Sequence, residues 1–303
     1  MTYSIVARDP ETGQLGVAVQ TCYFNVGAVV PWAQPGVGAV ATQSFAELSY
    51  GPRALDLLRT GSSPEEALQT LVGADQGQAR RQVAVIDSAG RVAVHTGSGC
   101  VWAAGHTIGE AVSTQANMMA SDTVWGAMLG SFESASGPLS ERLLAALRAA
   151  EAEGGDLRGR QSAALLVVGG SSTAPAWERE IDLRVEDHPD PVGELGRLLA
   201  LHRAFDHLGR SGDLAGAGDL QAAAAEGRLA LEAAPDDPQI AFMTGLMLAG
   251  AGEPVDGRGL LDRARAANPG WATFLRRFAG AGLFPNDPRL IDALMPPNEG
   301  ESV

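Results

Sequence analysis

The sequence contains no lysine. All 22 residues counted together as Lys and Arg, in a chain of 303 residues, are arginine. This absence excludes chemistry that needs a side-chain amine, such as a pyridoxal Schiff base, a P-loop lysine or a lysine general base. The primary amine that the chain can offer for catalysis is therefore its own N-terminal α-amine.

Cysteine and positive charge are also scarce. Cys22 and Cys100 are the two cysteines, too few for a disulfide framework and without the spacing of metal ligands. A net charge of −14 argues against nucleic acid and anionic membranes as partners. No apolar run approaches the roughly 18 residues of a membrane span, and the N-terminus lacks the pattern of a secretion signal. We therefore expect a soluble, cytoplasmic protein that uses neither a metal nor a cofactor.

The first 189 residues alternate between predicted strands and predicted pairs of helices. Apolar segments rich in β-branched residues predict strands at Met1–Arg8, Gln14–Gln20, Gly36–Gln43, Gln82–Ile86, Val92–His95, Cys100–Ala103, Ile108–Ser113, Ser162–Val168 and Glu180–Val185. Helical periodicity predicts helices at Gly51–Thr60, Pro64–Val72, Ser121–Phe132 and Pro138–Glu151. The segment Asp9–Gly13 is typical of a hairpin turn between the first two strands.

The strand near residue 165 indicates how these elements pack. Ala163–Val168 is continuously apolar, which indicates burial on both faces. Antiparallel hairpins with both faces covered need two stacked sheets with helices outside each. The sequence therefore predicts an α+β fold, a four-layer αββα sandwich, for residues 1–189.

Residues 190–303 are predicted to be entirely helical, beginning with a helix at Val192–Leu208. Two similar segments, Asp219–Asp237 and Pro254–Gly270, lie about 34 residues apart and each contains an Ala-Ala pair shortly before a proline. This period looks like that of tetratricopeptide repeats, which usually need about three copies to be stable alone. We therefore expect this tail to pack on the sandwich, on a second subunit in a homo-oligomer, or on a protein partner.

Thr2 is the strongest candidate for catalysis. Removal of Met1 by methionine aminopeptidase would leave Thr2 with a free α-amine, which could take the proton of the threonine hydroxyl during attack. An unperturbed α-amine has a pKa near 7.7–8.0 and is substantially neutral at cellular pH. Many proteins begin with Met-Thr for no catalytic reason, but the position of Thr2 at the start of a buried strand favours the catalytic interpretation.

The N-terminal part also resembles a known family. The segments that carry the resemblance are Thr2–Asp9, Thr12–Val19, Val26–Trp32, Gly36–Gln43, Ser49–Arg53, His95–Gly97, Gly159–Val167 and Ile181–Val185. The start of the chain looks like that of N-terminal-nucleophile hydrolases. More closely, about the first 190 residues resemble a bacterial family, domain of unknown function number 1028, which is assigned to that fold. The resemblance implies an N-terminal nucleophile at Thr2.

One feature departs from the wider superfamily. Many of its enzymes place a lysine near the nucleophile to depress the pKa of the amine, and this chain has none. Arg8, Arg53 or Arg160, or else helix termini and backbone N–H groups, would have to supply the field. Arginine does not exchange protons, so it would act only electrostatically.

Further candidates lie near the ends of predicted strands. Asn117 could donate a hydrogen bond to an oxyanion or could stabilise a turn. Gln43 could bind substrate or terminate its strand. Thr21 and Cys22 follow the second strand beside the expected N-terminus and could line the site. Cys22 is a poorer nucleophile than Thr2 because no histidine adjoins it in the sequence.

Four more residues are candidates for substrate binding. Tyr50 and Arg53 stand at the start of a predicted helix and could bind a carboxylate or simply cover the helix end. His95 and Thr96 end a strand and could line the pocket, although a purely structural histidine fits the same pattern.

Together these observations predict an amidohydrolase that acts on a small amide, amino-acid-like or ureido, with Thr2 as nucleophile. Pockets rich in arginine suit carboxylates, which favours an amino-acid-like amide. The alternative is a non-catalytic binding or scaffold protein of the same fold, whose helical tail mediates protein interaction or dimerisation.

Overall fold

The computed structural model describes residues 2–296, which form ten strands and ten α-helices in a mixed α+β arrangement. The strands are β1 (Thr2–Arg8), β2 (Leu15–Thr21), β3 (Pro31–Gln34), β4 (Gly38–Ser44), β5 (Arg81–Asp87), β6 (Val92–Thr96), β7 (Gly105–Gly109), β8 (Val112–Asn117), β9 (Ser162–Val168) and β10 (Ile181–Val185). The helices are α1 (Tyr50–Arg59), α2 (Pro64–Gly73), α3 (Val124–Ser134), α4 (Leu139–Ala152), α5 (Pro191–Gly216), α6 (Leu220–Ala233), α7 (Pro238–Gly250), α8 (Pro254–Ala267), α9 (Gly270–Gly280) and α10 (Pro288–Leu294).

The strands form two antiparallel sheets. The first has the order β10-β9-β2-β1-β8-β7, so that β1 lies in its interior between β2 and β8. The second has the order β3-β4-β5-β6. Strand β1 is therefore hydrogen-bonded along both edges, and Thr2 is its first residue.

Local sequence explains the hairpin between β1 and β2. The Asp9 carboxylate accepts hydrogen bonds from the backbone N–H groups of Glu11 and Thr12, both at 2.9 Å. Gly13 has a φ of 76°, a left-handed conformation that glycine adopts without a steric penalty. The segment Asp9–Gly13 thus makes the turn that its sequence predicts.

An apolar layer joins the two sheets. Val6, Val17, Ala39 and Ile86 belong to one buried cluster that takes residues from both sheets. Helices α1 and α2 pack on the outer face of the second sheet, where Leu71 lies in a separate cluster with the other faces of β4 and β5. Both sheets therefore have two covered faces over much of their area.

Helices α3 and α4 pack on the first sheet, against β7, β8, β1, β2 and β9. Gly16 of β2 permits the close approach of α4, because a Cβ atom at this position would lie 2.6 Å from Leu143 Cδ1. A side chain here would force the helix away from the strand or displace the leucine.

Three details of the strand prediction are wrong. Cys100–Ala103 is a loop, and Ile108–Ser113 spans the turn between β7 and β8 instead of forming one strand. The short strand β3 was not predicted, because Pro31 stands at its first residue and the four-residue edge strand is too short to show an alternating pattern.

Contacts divide the chain into two compact units, Met1–Leu198 and Leu199–Val303. In the second unit Phe242, Leu246, Leu261 and Leu275 contribute to one buried cluster. Helices α6 and α8 begin 34 residues apart. The predicted boundary between domains 1–189 and 190–303 stays a prediction. Residues 1 and 297–303, which belong to these predicted domains, lie outside the described residues.

No helix within residues 2–296 is both long and apolar enough to cross a membrane.

Candidate active site

The layer between the sheets becomes polar at one end. Thr2 and Ser4 lie on the same face of β1 as Val6, because side chains alternate along a strand. Asn117 of β8 is the direct partner of Thr2 in the register of the sheet. Thr21 ends β2 on the same side, and its hydroxyl oxygen accepts a hydrogen bond from the Thr2 hydroxyl at 3.2 Å.

Gln82 of β5 links the polar ends of the two sheets. Its Oε1 accepts hydrogen bonds from Gln43 Nε2 at 2.7 Å and from Asn117 Nδ2 at 2.9 Å. Its Nε2 donates to Ala116 O at 2.9 Å and to Thr96 Oγ1 at 3.0 Å. Every polar atom of this buried side chain is thus paired, and Gln82 fixes the amides of Gln43 and Asn117 relative to each other.

These amides hold the backbone of Thr2. Gln43 Nε2 and Asn117 Nδ2 each lie 3.4 Å from the carbonyl oxygen of Thr2. Thr2 itself is only 6% exposed. The first described residue of the chain is therefore held from both sheets at a defined position.

Three buried polar atoms in this region have no hydrogen-bond partner among residues 2–296. They are Gln43 Oε1, Asn117 Oδ1 and Ser44 Oγ. An unpaired buried polar group costs about 1–3 kcal/mol, so most such groups in folded proteins are paired. Their concentration beside Thr2 marks the place where additional donors and acceptors would be accommodated.

Thr2 lines a cavity of about 440 Å³. This volume lies within the range of about 300–1,000 Å³ that is typical of small-molecule sites. Most of the wall is apolar, while Arg158 carries the only formal charge among its described lining residues. The lining residues are Thr2, Thr21, Tyr23, Val26, Val29, Val30, Gln43, Ser44, Phe45, Ala46, Leu48, Met118 and Arg158.

Two of the lining residues have a left-handed backbone. Ser44 ends β4 with a φ of 69°, and Met118 follows β8 with a φ of 60°. Residues other than glycine seldom adopt this conformation, and such strain is concentrated at functional sites. Both strand ends thus turn sharply at the cavity.

Arg158 is held at the cavity by Asp156. The carboxylate accepts a hydrogen bond from Arg158 Nη2 at 3.3 Å and from the backbone N–H of the same arginine at 2.9 Å. Asp156 Oδ2 also accepts from the backbone N–H of Cys22 at 2.9 Å. The Cys22 thiol lies 3.7 Å from Arg158 O and is not part of the cavity lining.

Thr96 reaches the site indirectly. Its hydroxyl accepts from Gln82 Nε2 and lies 2.9 Å from His106 Nδ1. His95 points to the other face of the same strand, where its Nε2 lies 2.8 Å from Gln78 O. The structure therefore connects Thr96 to the buried amides and separates His95 from them.

Tyr50 and Arg53 also lie away from the cavity. Tyr50 is buried on α1 and donates to Asp75 at 2.9 Å. Burial and this hydrogen bond raise the pKa of the Tyr50 hydroxyl, while the hydrogen bond from Arg81 lowers the pKa of Asp75 to about 2. Tyr50 is thus a neutral structural donor, and Arg53 is an exposed residue of the same helix.

The arginines expected to replace a lysine lie elsewhere. Arg8 is at the opposite end of β1 from Thr2. Arg160 forms ion pairs with Glu151 and, at 3.7 Å, with Asp190. Arg158, which the sequence analysis did not select, is the arginine that lines the cavity.

Sequence reasoning also missed Gln82 and Ser44. Gln82 stands at the start of a predicted strand, and an amide among alternating apolar residues is a signal that could have been noticed. Ser44 and Arg158 have no comparable signal, because a backbone angle and a loop position decide their roles. Among residues 2–296, no group of three or more His, Cys, Asp or Glu side chains comes together as a metal-ligand set.

Comparisons with known proteins agree on the N-terminal part. The model of a family of unknown function, DUF1028, matches residues 2–195. A crystal structure of a protein from Silicibacter pomeroyi, assigned to the same family model, is 36% identical to this chain and has a TM-score of 0.60. The similarity covers 65% of this chain and 84% of the other. No curated protein matches the chain. The family match ends before helices α6–α10 begin.

Proposed function

The chain belongs to the family of unknown function DUF1028, and we propose that it is an N-terminal-nucleophile amidohydrolase with Thr2 as nucleophile. One observation carries the proposal: Thr2 lines a cavity of about 440 Å³ while two buried amides from different strands hold its carbonyl oxygen. A threonine whose backbone is positioned in this way at a substrate-sized cavity can present its hydroxyl for nucleophilic attack.

The packing of the elements supports the same reading. Helices α3 and α4 cover the outer face of one sheet, α1 and α2 cover the other, and the two sheets pack on each other. This order supports the proposal of a four-layer αββα sandwich of the N-terminal-nucleophile type. Thr2 begins β1, a strand in the interior of its sheet, as the proposed role of the nucleophile requires.

The reaction needs only the groups of Thr2 and water. After removal of Met1, the hydroxyl oxygen of Thr2 attacks the substrate carbonyl carbon while the α-amine accepts the hydroxyl proton. The amine then gives this proton to the leaving nitrogen as the C–N bond breaks, and an ester to Thr2 remains. Water attacks the ester with the amine again as base, which releases the acid and restores the hydroxyl.

The unpaired buried atoms have a use in this scheme. Gln43 Oε1 and Asn117 Oδ1 are acceptors that the freed α-amine of Thr2 can donate to. Ser44 Oγ is a cavity-lining hydroxyl that can donate to the oxyanion of the tetrahedral intermediate. Asn117 is a candidate oxyanion donor or turn residue from the sequence; in the structure its Nδ2 donates to Gln82 Oε1, and it does not line the cavity. We therefore assign Asn117 the role of a positioning residue.

The absence of lysine is accommodated without a second base. Burial disfavours the charged form of an amine, which lowers the pKa of a Thr2 α-amine from its ordinary value near 7.7–8.0. This effect favours the neutral amine that a general base requires.

Two variants of Thr2 test the proposal. Thr2→Ala keeps a small residue after Met1, so the amine is still freed, but the hydroxyl is lost. We expect hydrolysis of small amides to fall by at least about a thousandfold, whereas Thr2→Ser should retain measurable activity. Thr42→Val is the matched control, because it removes the hydroxyl of a buried threonine that does not line the cavity and keeps the nucleophile.

Intact-mass measurement of the purified protein completes the test. We expect the mass of the chain without Met1, together with a stable adduct on the Thr2-containing peptide after treatment with an electrophilic lactone. A protein that retains Met1 and hydrolyses its substrate, or a Thr2→Ala variant as active as the wild type, would refute the mechanism.

A second function, binding without catalysis, is favoured by a different observation. The described cavity lining contains no acid–base pair of side chains. The second unit has its own cavity of about 690 Å³, with Met243, Met247 and Phe278 in its largely apolar lining. In this reading α6 and α8 belong to tetratricopeptide-like repeats that bind a protein partner or a second copy of the chain. A full-length protein that is monomeric in light scattering, and whose amidase activity depends on Thr2, would exclude it.

A further inference from the structure

Arg158 is the charged feature of the cavity that the proposed chemistry does not consume. Its side chain is 41% exposed, and it lies in a protein whose net charge is −14. The remaining described lining is uncharged and mostly apolar. An exposed guanidinium at an otherwise uncharged wall is the group of this cavity that can donate charge-assisted hydrogen bonds to an anionic part of a ligand.

The guanidinium is held in place from behind. Asp156 has a side chain that is 0% exposed, and its two oxygens accept from Arg158 Nη2, from the Arg158 backbone N–H and from the Cys22 backbone N–H. Cys22 directly follows Thr21, which contacts the Thr2 hydroxyl. The carboxylate thus ties the arginine to the strand end beside the nucleophile, so the positions of the cation and of the Thr2 hydroxyl are coupled.

A guanidinium has five N–H donors in one plane and can contact more than one carboxylate. Asp156 engages the Nη2 group and, more weakly at 3.5 Å, the Nε group. The Arg158 side chain is 41% exposed and lines the cavity, so a carboxylate bound in the cavity can reach the guanidinium.

The rest of the cavity indicates what else the ligand carries. Val26, Val29 and Val30 form one apolar part of the wall, and Phe45 and Leu48 add exposed apolar side chains. Such a surface favours a hydrocarbon group over a polar one. The cavity therefore combines one carboxylate-binding group, one nucleophile and an apolar wall.

We infer that Arg158 binds the carboxylate of the substrate, and that the substrate class is N-acyl amino acids with an apolar acyl group. In this class the scissile amide and the carboxylate are attached to the same carbon atom, so one compact molecule supplies both groups. The inference rests on the proposed function, since it assigns the substrate of the Thr2 site. It makes Arg158 a specificity-determining residue and Asp156 its positioning residue.

The first experiment compares N-acyl amino acids with their primary amides, which have the same shape and no charge. The acids can accept charge-assisted hydrogen bonds from Arg158, and the neutral amides cannot. We therefore expect the wild type to prefer the acids by roughly 10- to 100-fold in kcat/KM. Arg158→Gln should abolish this preference by lowering kcat/KM for the acids while changing the primary amides little. Arg158→Lys, which keeps the charge and loses the bidentate geometry, should retain part of it.

The second experiment measures binding without turnover. Calorimetric titration of the Thr2→Ala variant with N-acyl amino acids and with the primary amides should show tighter binding of the acids, and the additional substitution Arg158→Gln should remove the difference. Equal binding of acids and amides to Thr2→Ala would overturn the inference, whatever the kinetic comparison of acids and amides shows.

The two proposals fail in different ways. If a neutral electrophilic lactone labels Thr2 but acids and primary amides are hydrolysed equally, the carboxylate site is refuted and the amidohydrolase stands. If Thr2 is neither labelled nor needed for hydrolysis, the proposed function is refuted, and calorimetry still decides whether Arg158 binds carboxylates.

Thermal melting of each variant identifies loss of fold. A misfolded Arg158→Gln would be replaced by Asp156→Asn, which we expect to weaken the acid preference by releasing the arginine.

Discussion

The two ends of the layer between the sheets are built from the same strands and differ in chemistry. On β1 the inward-facing side chain at one end is Val6, and at the other end it is Thr2. On β5 the corresponding residues are Ile86 and Gln82. The alternation of the strands is unchanged from one end to the other, so the backbone fold does not require the change in polarity.

The difference separates the residues that stabilise the fold, at the apolar end, from the residues that the fold positions, at the polar end. The apolar end is stabilised by removing side chains from water and needs only complementary shapes. The polar end is stable only where donors meet acceptors, and three of its buried polar atoms have no partner in the described part of the chain. A region that keeps such atoms at a cost in stability, beside a cavity, is where we expect a ligand to bind.

Replacement of Gln82 by leucine should have the largest effect on this contrast. The substitution makes the polar end resemble the apolar one, but it removes the acceptor shared by Gln43 and Asn117. Two buried N–H groups then lose their best partner, and we expect the free energy of unfolding to fall by about 3–5 kcal/mol. Urea denaturation measures the loss, and Thr2-dependent hydrolysis should fall with it because the amides are no longer fixed.

Ile86→Val is the matched control on the same face of the same strand. It removes one methyl group from the apolar end and should cost about 1 kcal/mol without changing hydrolysis. If Gln82→Leu were no more destabilising than Ile86→Val, the polar end would be an ordinary part of the core, and the contrast would be wrong.

Ser44→Gly should have a smaller and opposite effect on stability. Glycine relieves the left-handed backbone at φ 69° and removes the unpaired hydroxyl, so we expect the protein to become more stable by about 0.5–1 kcal/mol. If the Ser44 hydroxyl stabilises the oxyanion, kcat should fall by about 100-fold or more at the same time. Thermal melting and steady-state kinetics separate the two effects.

Ala111→Gly provides the comparison at the other end of the layer. Ala111 also has a left-handed backbone, with a φ of 53°, but it lies in the turn between β7 and β8 and does not line the cavity. It should gain a similar stability with no change in kcat. A loss of activity in Ala111→Gly, or full activity in Ser44→Gly, would show that the strain at Ser44 has no special role.

Much of the fold could be predicted because it depends on local pattern. Ser162–Val168 was predicted with its observed bounds, since a continuous apolar run between polar residues leaves few alternatives. The capping box at Ser63 likewise begins α2, with Pro64 as its first residue. Thr2 could be selected because its position in the chain, and not its contacts, makes it unusual.

The candidate site could be predicted only in part, because its contacts join distant segments. Gln82 meets Asn117 across two sheets, and the register that brings them together is not visible in either strand alone. Arg158 reaches the cavity through its contact with Asp156 in a loop, where no periodicity exists to guide a prediction. His95 and Thr96 show the limit most clearly, since adjacent residues on one strand face opposite sides and only Thr96 joins the buried amides.

Asp9 should give the smallest effect, at the turn that closes the apolar end of the layer. Burial acts to raise the pKa of its carboxyl group, but hydrogen bonds from Thr12 and Glu11 and the charge of Arg142 outweigh it, so the pKa is lowered. A carboxyl group with a lowered folded-state pKa stabilises the protein above its unfolded-state pKa of about 3.9, and this contribution is lost as the pH falls through the folded-state value.

Asp9→Asn keeps an oxygen acceptor for the turn and removes the charge. We therefore expect a loss of about 0.5 kcal/mol at pH 7 that disappears as the pH falls through the lowered folded-state pKa of Asp9, measured by urea denaturation over a series of pH values. Glu11→Gln removes an exposed carboxylate from the same turn as a control. A difference between Asp9→Asn and wild type that stays constant with pH would mean that the carboxyl charge does not stabilise this end of β1, and that both ends of the strand depend on hydrogen-bond geometry alone.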